Sequence, residues 1–238
     1  MKNIRNLFRI GLLSFLMGCC SAGLTGVTVN TPQGKQEVKS KKQEEIEKLH
    51  HTTVAIINDS LDVNIPMCGA VWIAKNVLIT AAHCVEDQIT VKYSTFDDYN
   101  NDVVRTATII GVDQVNDLAL LHTQTHADHP VAILSSKLVT TGDEAHIVGH
   151  PVGYAWSYSH GYIATVRTNI KGPSGKIDKI LQISAPVWMG NSGGGAFDTN
   201  GNLIGICSWV SKNGPHLAFF IHKEVIETFI AKHQKELL

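Results

Sequence analysis

The sequence predicts an all-β protein arranged as two packed barrels, closed at its C-terminal end by a helix. Three observations predict it. Twenty glycines stand against seven prolines in 238 residues, a balance that favours frequent turns over long helices. Short β-branched runs recur along the chain, each ended by Gly, Asn or Asp, which is the pattern of many short strands. A hydrophobic content of 44% lets a chain of this length bury a sizeable core in one or two compact units. The formal net charge of −1 supplies no basic field, so nucleic acid is not an expected partner.

The elements follow in chain order. Lys2, Arg5 and Arg9 precede a short apolar run, Ile10 to Gly18, so residues 1–18 read as an export signal. That run is too short to span a bilayer. Residues 20 to about 40 are small, polar and charged without apolar periodicity, as a tether is. Lys41 to His51 has helical character, with Ile46 and Leu49 on one face, which makes residues 19–50 a tether and short helix. The first strand is expected at Thr52–Ile57, ended by Asn58, Asp59 and Ser60. A hairpin of Met67–Ile73 and Asn76–Thr80 follows, joined by Ala74-Lys75. Further strands are expected at 89–93, 103–112, 118–121, 144–149, 157–168, 180–184, 194–197, 203–210 and 216–221. His222 to Leu238 reads as an amphipathic helix with Val225, Ile226, Phe229 and Ile230 on one face.

Chemistry concentrates in Gly190-Asn191-Ser192-Gly193-Gly194-Gly195, a turn stripped of side-chain bulk around one hydroxyl. A serine hydroxyl needs an adjacent base, itself oriented by a third group. A histidine stands in Leu78-Ile79-Thr80-Ala81-Ala82-His83-Cys84, where an apolar strand runs into small residues. A carboxylate, Asp117, heads the apolar run Leu118-Ala119-Leu120-Leu121. Asp113, four residues earlier, competes with it.

These three segments, in the order His83, Asp117, Ser192, resemble the trypsin/chymotrypsin-like serine protease superfamily, in particular its bacterial HtrA-type (Deg-like) and glutamyl-endopeptidase-like branches. A lone glycine-rich turn with a serine is weak, but three motifs in family order are strong. The order Ser, Asp, His would have indicated an α/β-hydrolase instead. Val148-Gly149-His150-Pro151-Val152-Gly153 and His160-Gly161-Tyr162-Ile163-Ala164-Thr165-Val166 also resemble that branch. The resemblance spans residues 51–238 and implies two six-stranded chymotrypsin-like barrels, at about 51–135 and 136–238. It leaves no room for the PDZ module found in many HtrA-type proteins.

The resemblance implies a serine endopeptidase. Ser192 would attack a peptide carbonyl, His83 would carry its proton, and Asp117 would fix the imidazole tautomer. Backbone N–H groups of Gly190 and Ser192 would hold the oxyanion. The rival reading is a catalytically inactive or partner-activated peptide-binding protein on the same fold. Asn191 stands where digestive relatives carry an aspartate that pairs with a new N-terminus, so no zymogen cleavage is expected. Pro186, Ser208, Trp209 and Val210 are expected to bind substrate, with Phe219 and Phe220 narrowing the pocket toward small or medium apolar side chains. Cys68 and Cys84 resemble the pair that brackets the histidine motif, either as a disulfide or as two buried thiols. Leu16-Met17-Gly18-Cys19 resembles a lipobox, implying a lipid on Cys19 and a place in the cell envelope. The alternative is an ordinary secretory signal cut near Ser21-Ala22.

Other features are weaker. His122, His126 and His129 could hold a metal but read as exposed loop histidines. Cys207 reads as a buried thiol. Tyr154, Trp156 and Tyr158 either line a binding loop or pack in the core. No cofactor fingerprint is present, and the expected partner is a protein or peptide substrate.

Overall fold

The computed structural model describes residues 28–31, 34–37, 39–58, 64–124, 128–172, 175–211, 214 and 216–235. The segment expected to be an export signal, the expected lipid site Cys19, and His126 lie outside the described residues. Two compact units are present, residues 1–40 and 41–238. In the first, β1 (Thr28–Thr31) pairs antiparallel with β2 (Gly34–Glu37), where the sequence suggests only a tether. Three of the four residues of β1 are β-branched, which suits a paired strand.

The second unit opens with α1 (Lys41–Thr52), which buries Leu49 and Thr52. Six antiparallel strands then close into a barrel. They are β3 (Thr53–Asn58), β4 (Ile65–Ala74), β5 (Val77–Thr80), β6 (Thr90–Ser94), β7 (Arg105–Asp113) and β8 (Leu118–Thr123), adjacent in the order β3-β4-β5-β8-β7-β6. Between β6 and β7 sits a four-residue helix, α2 (Phe96–Tyr99), which the sequence reading does not contain. The Thr95 side chain starts it by accepting a hydrogen bond from Asp98 N–H at 3.1 Å.

The second barrel repeats the plan. It comprises β9 (Glu144–Gly149), β10 (Ser157–Lys171), β11 (Lys176–Ser184), β12 (Gly195–Phe197), β13 (Leu203–Val210) and β14 (Leu217–His222), in the order β10-β11-β14-β13-β12-β9. The last helix, α3 (Lys223–Lys232), starts on His222, whose Nδ1 accepts from Glu224 N–H at 3.1 Å. It stops short of the expected Leu238. Val225, Ile226 and Phe229 are its buried residues, and the described residues after Lys232, His233 to Lys235, are polar and form a turn. Among the described residues no helix is long and apolar enough to cross a membrane.

The continuous apolar runs have a packing explanation. In β8, Ala119 and Leu121 point into the first barrel beside Trp72 and Leu78, while Leu118 and Leu120 join a cluster shared with Phe197, Ile206 and Phe229 of the second half. Side chains alternate along a strand, so a wall buried on both faces reads as unbroken hydrophobicity. That shared cluster holds the two barrels against each other and fixes the cleft between them.

Candidate active site

The pairing of β5 with β8 sets Thr80 opposite Ala119. Because the strands are antiparallel, the chain leaving β5 and the chain entering β8 lie at the same barrel end. His83, in a 3-10 turn Ala82–Cys84, thereby meets Asp117. The His83 Nδ1 lies 3.0 Å from Asp117 Oδ1 and 2.9 Å from Oδ2, and the His83 backbone N–H donates to Oδ1 at 3.0 Å. The hydroxyl of Ser208 on β13 also donates to Asp117 Oδ2. Asp117 is 2% exposed, so those donors do what water would otherwise do for a buried carboxylate. Its φ of +55° is left-handed, a conformation Asp tolerates better than most residues, and it turns the carboxylate back beneath the imidazole. Nδ1 facing a carboxylate carries the proton, which leaves the Nε2 lone pair toward the cleft.

Asp113 has a different task. Its Oδ1 accepts from the N–H groups of Val115 and Asn116, both at 3.0 Å, and so builds the turn that delivers Asp117.

Ser192 arrives from the second barrel on the loop before β12. The Gly69 N–H on β4 donates to the Ser192 carbonyl at 2.7 Å, tying the Ser192 turn to the first barrel. Thr80 Oγ1 donates to the Gly69 carbonyl at 2.7 Å and steadies that contact. Gly193 has a φ of +78°, and a Cβ there would stand 2.2 Å from both the Gly69 carbonyl and Thr80 Oγ1, so only glycine fits. Asn191 is 3% exposed and its side-chain N–H donates to the Trp188 carbonyl at 2.9 Å. That bond closes the turn locally.

Gly190 and Ser192 both line the cleft. Among the described residues no protein acceptor engages the N–H of Gly190 or Ser192. Gly190 has a φ of +99°, and a side chain there would strike the His150 carbonyl at 2.2 Å. The neighbouring Met189 carbonyl is held by Val152 N–H at 2.7 Å. The Ser192 hydroxyl lies 3.4 Å from the Ser208 carbonyl, and the His83 Nε2 has Cys84 Sγ at 3.8 Å. Ser192 and His83 line the same cleft without a direct hydrogen bond between them.

Cys68 and Cys84 form a disulfide, which links β4 to the histidine turn. Cys207 is a buried free thiol behind Ser192, and its backbone bonds Gly193 and Gly194 at 2.7 and 2.8 Å. Burial, then the Asp117 charge, raises its pKa far above the ordinary thiol value, so it stays protonated and inert.

The cleft encloses about 1180 Å³ and is mainly apolar, with Met67, Trp188, Met189, Trp209 and Val210 among its walls. Ser208, Trp209 and Val210 line it. Pro186 does not: it is exposed and stands outside the lining. Phe220 is fully buried in the second barrel and Phe219 stacks on Trp209 at 4.7 Å, so neither narrows the cleft directly. Strand alternation turns Phe220 inward, a direction that chain position alone does not reveal.

The remaining candidates separate. His122 is exposed, but His129 is half-buried, stacked on Trp72 with ring centroids 3.8 Å apart and its Nε2 on the Lys75 carbonyl at 2.9 Å. Trp156 packs in the core and donates to the His50 and Thr53 carbonyls at 3.1 and 3.0 Å, whereas Tyr154 is exposed. The sequence reading misses the Ser208 hydroxyl as support for Asp117, because nothing local to Ser208 reports a partner 91 residues away.

Residues 68–206 match the trypsin-like peptidase domain, more than half of the chain. The chain is 29% identical to Protease Do-like 5, chloroplastic, of Arabidopsis thaliana over 58% of its own length and 46% of the relative's. It is 28% identical to serine endoprotease DegS of Haemophilus influenzae, over 63% of this chain and 43% of that one. A serine protease HtrA-like of Staphylococcus epidermidis is 32% identical over 55% of this chain and 23% of the relative. The chain thus spans less than half the length of these relatives. Among solved structures, the serine endoprotease from Yersinia pestis superposes with a TM-score of 0.66 at 22% identity, covering 83% of this chain and 68% of that one. The active form of the Rv3671c protease from M. tuberculosis also gives 0.66, at 19% identity, covering 79% and 83%. Those likenesses establish the two-barrel fold. The domain match, across the segment that carries His83, Asp117 and Ser192, shows that the chain belongs to the trypsin-like peptidase family.

Proposed function

We propose that the protein is a serine endopeptidase that cleaves protein or peptide substrates through an acyl-enzyme. The observation that carries this reading is the buried Asp117 carboxylate clasping His83 Nδ1, with Ser192 on the same cleft. Ser192 Oγ attacks the carbonyl carbon while His83 Nε2 takes its proton, and the developing oxyanion accepts from the N–H groups of Gly190 and Ser192. The imidazolium then protonates the leaving amine, and water attacks the acyl group by the same route. Asp117 holds the ring and stabilises its charge throughout. Apolar walls at Met189, Trp209 and Val210 favour apolar side chains before the scissile bond.

Export and a lipid on Cys19 complete the proposal and rest on the sequence pattern of residues 1–19. Metabolic labelling with a clickable fatty acid tests the anchor, since equal label in wild type and Cys19→Ala would remove it.

One observation favours a second reading, activation by substrate or partner. The Ser192 hydroxyl rests on the Ser208 carbonyl rather than on His83. In unliganded sites such bonds are often long and tighten only in the complex. A fluorophosphonate probe separates the two readings. Adduct at Ser192 that is lost in His83→Ala supports the constitutive enzyme. Labelling that requires added peptide supports the activated one, and no labelling of folded protein under either condition rejects both.

A further inference from the structure

Away from the cleft, three side chains converge on the outer wall of the second barrel. Glu144 and His146 are two residues apart on β9, and His160 on β10 pairs directly across from His146. The two-residue period of a strand puts all three on one face. Glu144 Oε2 lies 3.2 Å from His160 Nε2 and 3.7 Å from His146 Nε2. The three ligand atoms all fall within 4.8 Å of one another.

We propose that Glu144, His146 and His160 form a binding site for a divalent transition metal, zinc by its donor set, with one carboxylate oxygen and two Nε2 atoms as ligands and water completing the shell. Two imidazoles and a carboxylate are a donor set that zinc takes, at bond lengths of about 2.0–2.2 Å. A tetrahedron of that size has edges of roughly 3.4 Å. Two of the three separations already bracket that value. A plain Glu–His pair would account for one contact, yet here two Nε2 atoms address the same oxygen.

The surrounding groups suit ligation. His146 Nδ1 lies 2.7 Å from the Tyr158 hydroxyl. With the proton on Nδ1, that N–H donates to the Tyr158 oxygen and frees the Nε2 lone pair, as an outer partner does for most metal-bound histidines. On the facing helix α1, Glu45 adds negative charge and Lys42 opposes it. None of the three ligands lines the catalytic cleft, so the site and the peptidase reading stand independently.

The test is calorimetric titration of zinc chloride into the purified full-length chain, with cobalt(II) absorption as a second readout of coordination. One saturable site is expected in wild type and in His83→Ala, which removes the triad histidine as the ligand. Glu144→Gln should weaken binding, and the His146→Gln/His160→Gln double variant should lose it. Tyr158→Phe should weaken it about 10–100-fold, as loss of an outer partner does. Thermal melts without metal establish that each variant folds, and Glu144→Gln, altering an exposed side chain, keeps the test open if the double variant does not. No saturable zinc binding by wild type would overturn the site, as would affinity unchanged in Glu144→Gln and in whichever histidine variants fold.

Discussion

On the first-barrel side of the cleft the polar groups are paired without a ligand: Asp117 accepts from His83 N–H, from His83 Nδ1–H and, across the barrel boundary, from Ser208, and its carboxylate is buried. In the second barrel the matching half is open. The Ser192 hydroxyl makes one 3.4 Å contact, and the N–H groups of Gly190 and Ser192 have no protein acceptor among the described residues. The difference follows from burial. An unsatisfied buried carboxylate would cost several kcal/mol, so folding must complete it, whereas donors at an open cleft can wait on water and later on a substrate oxyanion. On the proposed reading, the first barrel stores orientation and the second stores binding capacity for the transition state.

Breaking the finished half should have the largest effect. Asp117→Asn keeps the packing but loses the tautomer, and kcat should fall by about 10⁴-fold, measured on any peptide that wild type cleaves. A fall of less than tenfold would show that His83 is oriented by something else.

Acid probes the join between the halves. His150, fully buried at the end of β9, meets the Val54 carbonyl through Nε2 at 3.2 Å and accepts from Trp156 N–H through Nδ1 at 3.1 Å. Burial pushes its pKa down to about 4, against a usual 6.5, with the Val54 carbonyl opposing. The unfolded chain therefore binds the proton first. Stability from this group is fully present above about pH 6.5 and is lost as pH falls through about 4, a change on the order of 3 kcal/mol. Denaturant melts of wild type and His150→Gln across that range should converge toward acid pH. Parallel curves would assign the acid sensitivity elsewhere.

The disulfide belongs to the first half alone. Cys68 and Cys84 are 16 residues apart, so Cys68→Ser/Cys84→Ser should lower stability by about 3 kcal/mol on the loop-entropy account. Chemical denaturation under oxidising conditions reads it directly. The smallest expected effect is Ser208→Ala, which removes one donor to Asp117 across the barrel boundary. It should reduce kcat by about tenfold and leave KM within twofold, because a hydrogen bond to a charged group contributes about 1.5–3 kcal/mol and part of it is recovered by rearrangement. An effect confined to KM would move Ser208 from supporting Asp117 to holding substrate.

Much of this site was legible in the chain because its signals are local. Gly190 to Gly195 reads as a turn from composition, and His83 and Asp117 announce themselves at the ends of apolar strands. The misses are equally physical. Pro186 lies beside the turn in sequence but outside the cleft, and Phe220 faces inward, because loop path and strand alternation decide which side chains reach a cavity. His129 reads as exposed in a polar loop, yet it stacks on Trp72 from a strand 57 positions earlier, by the numbering 129 − 72.

By itself, then, the sequence determined the two-barrel class, the order of the three residues proposed to react, and the glycines that the Ser192 turn demands, since each follows from local periodicity, residue chemistry or a φ that only glycine adopts readily. The tertiary structure alone decided which groups meet: Ser208 on Asp117, Gly69 on Ser192, His160 across from His146. Those contacts depend on strand register and on how two closed barrels share a hydrophobic wall, and neither is written in any short stretch of the chain.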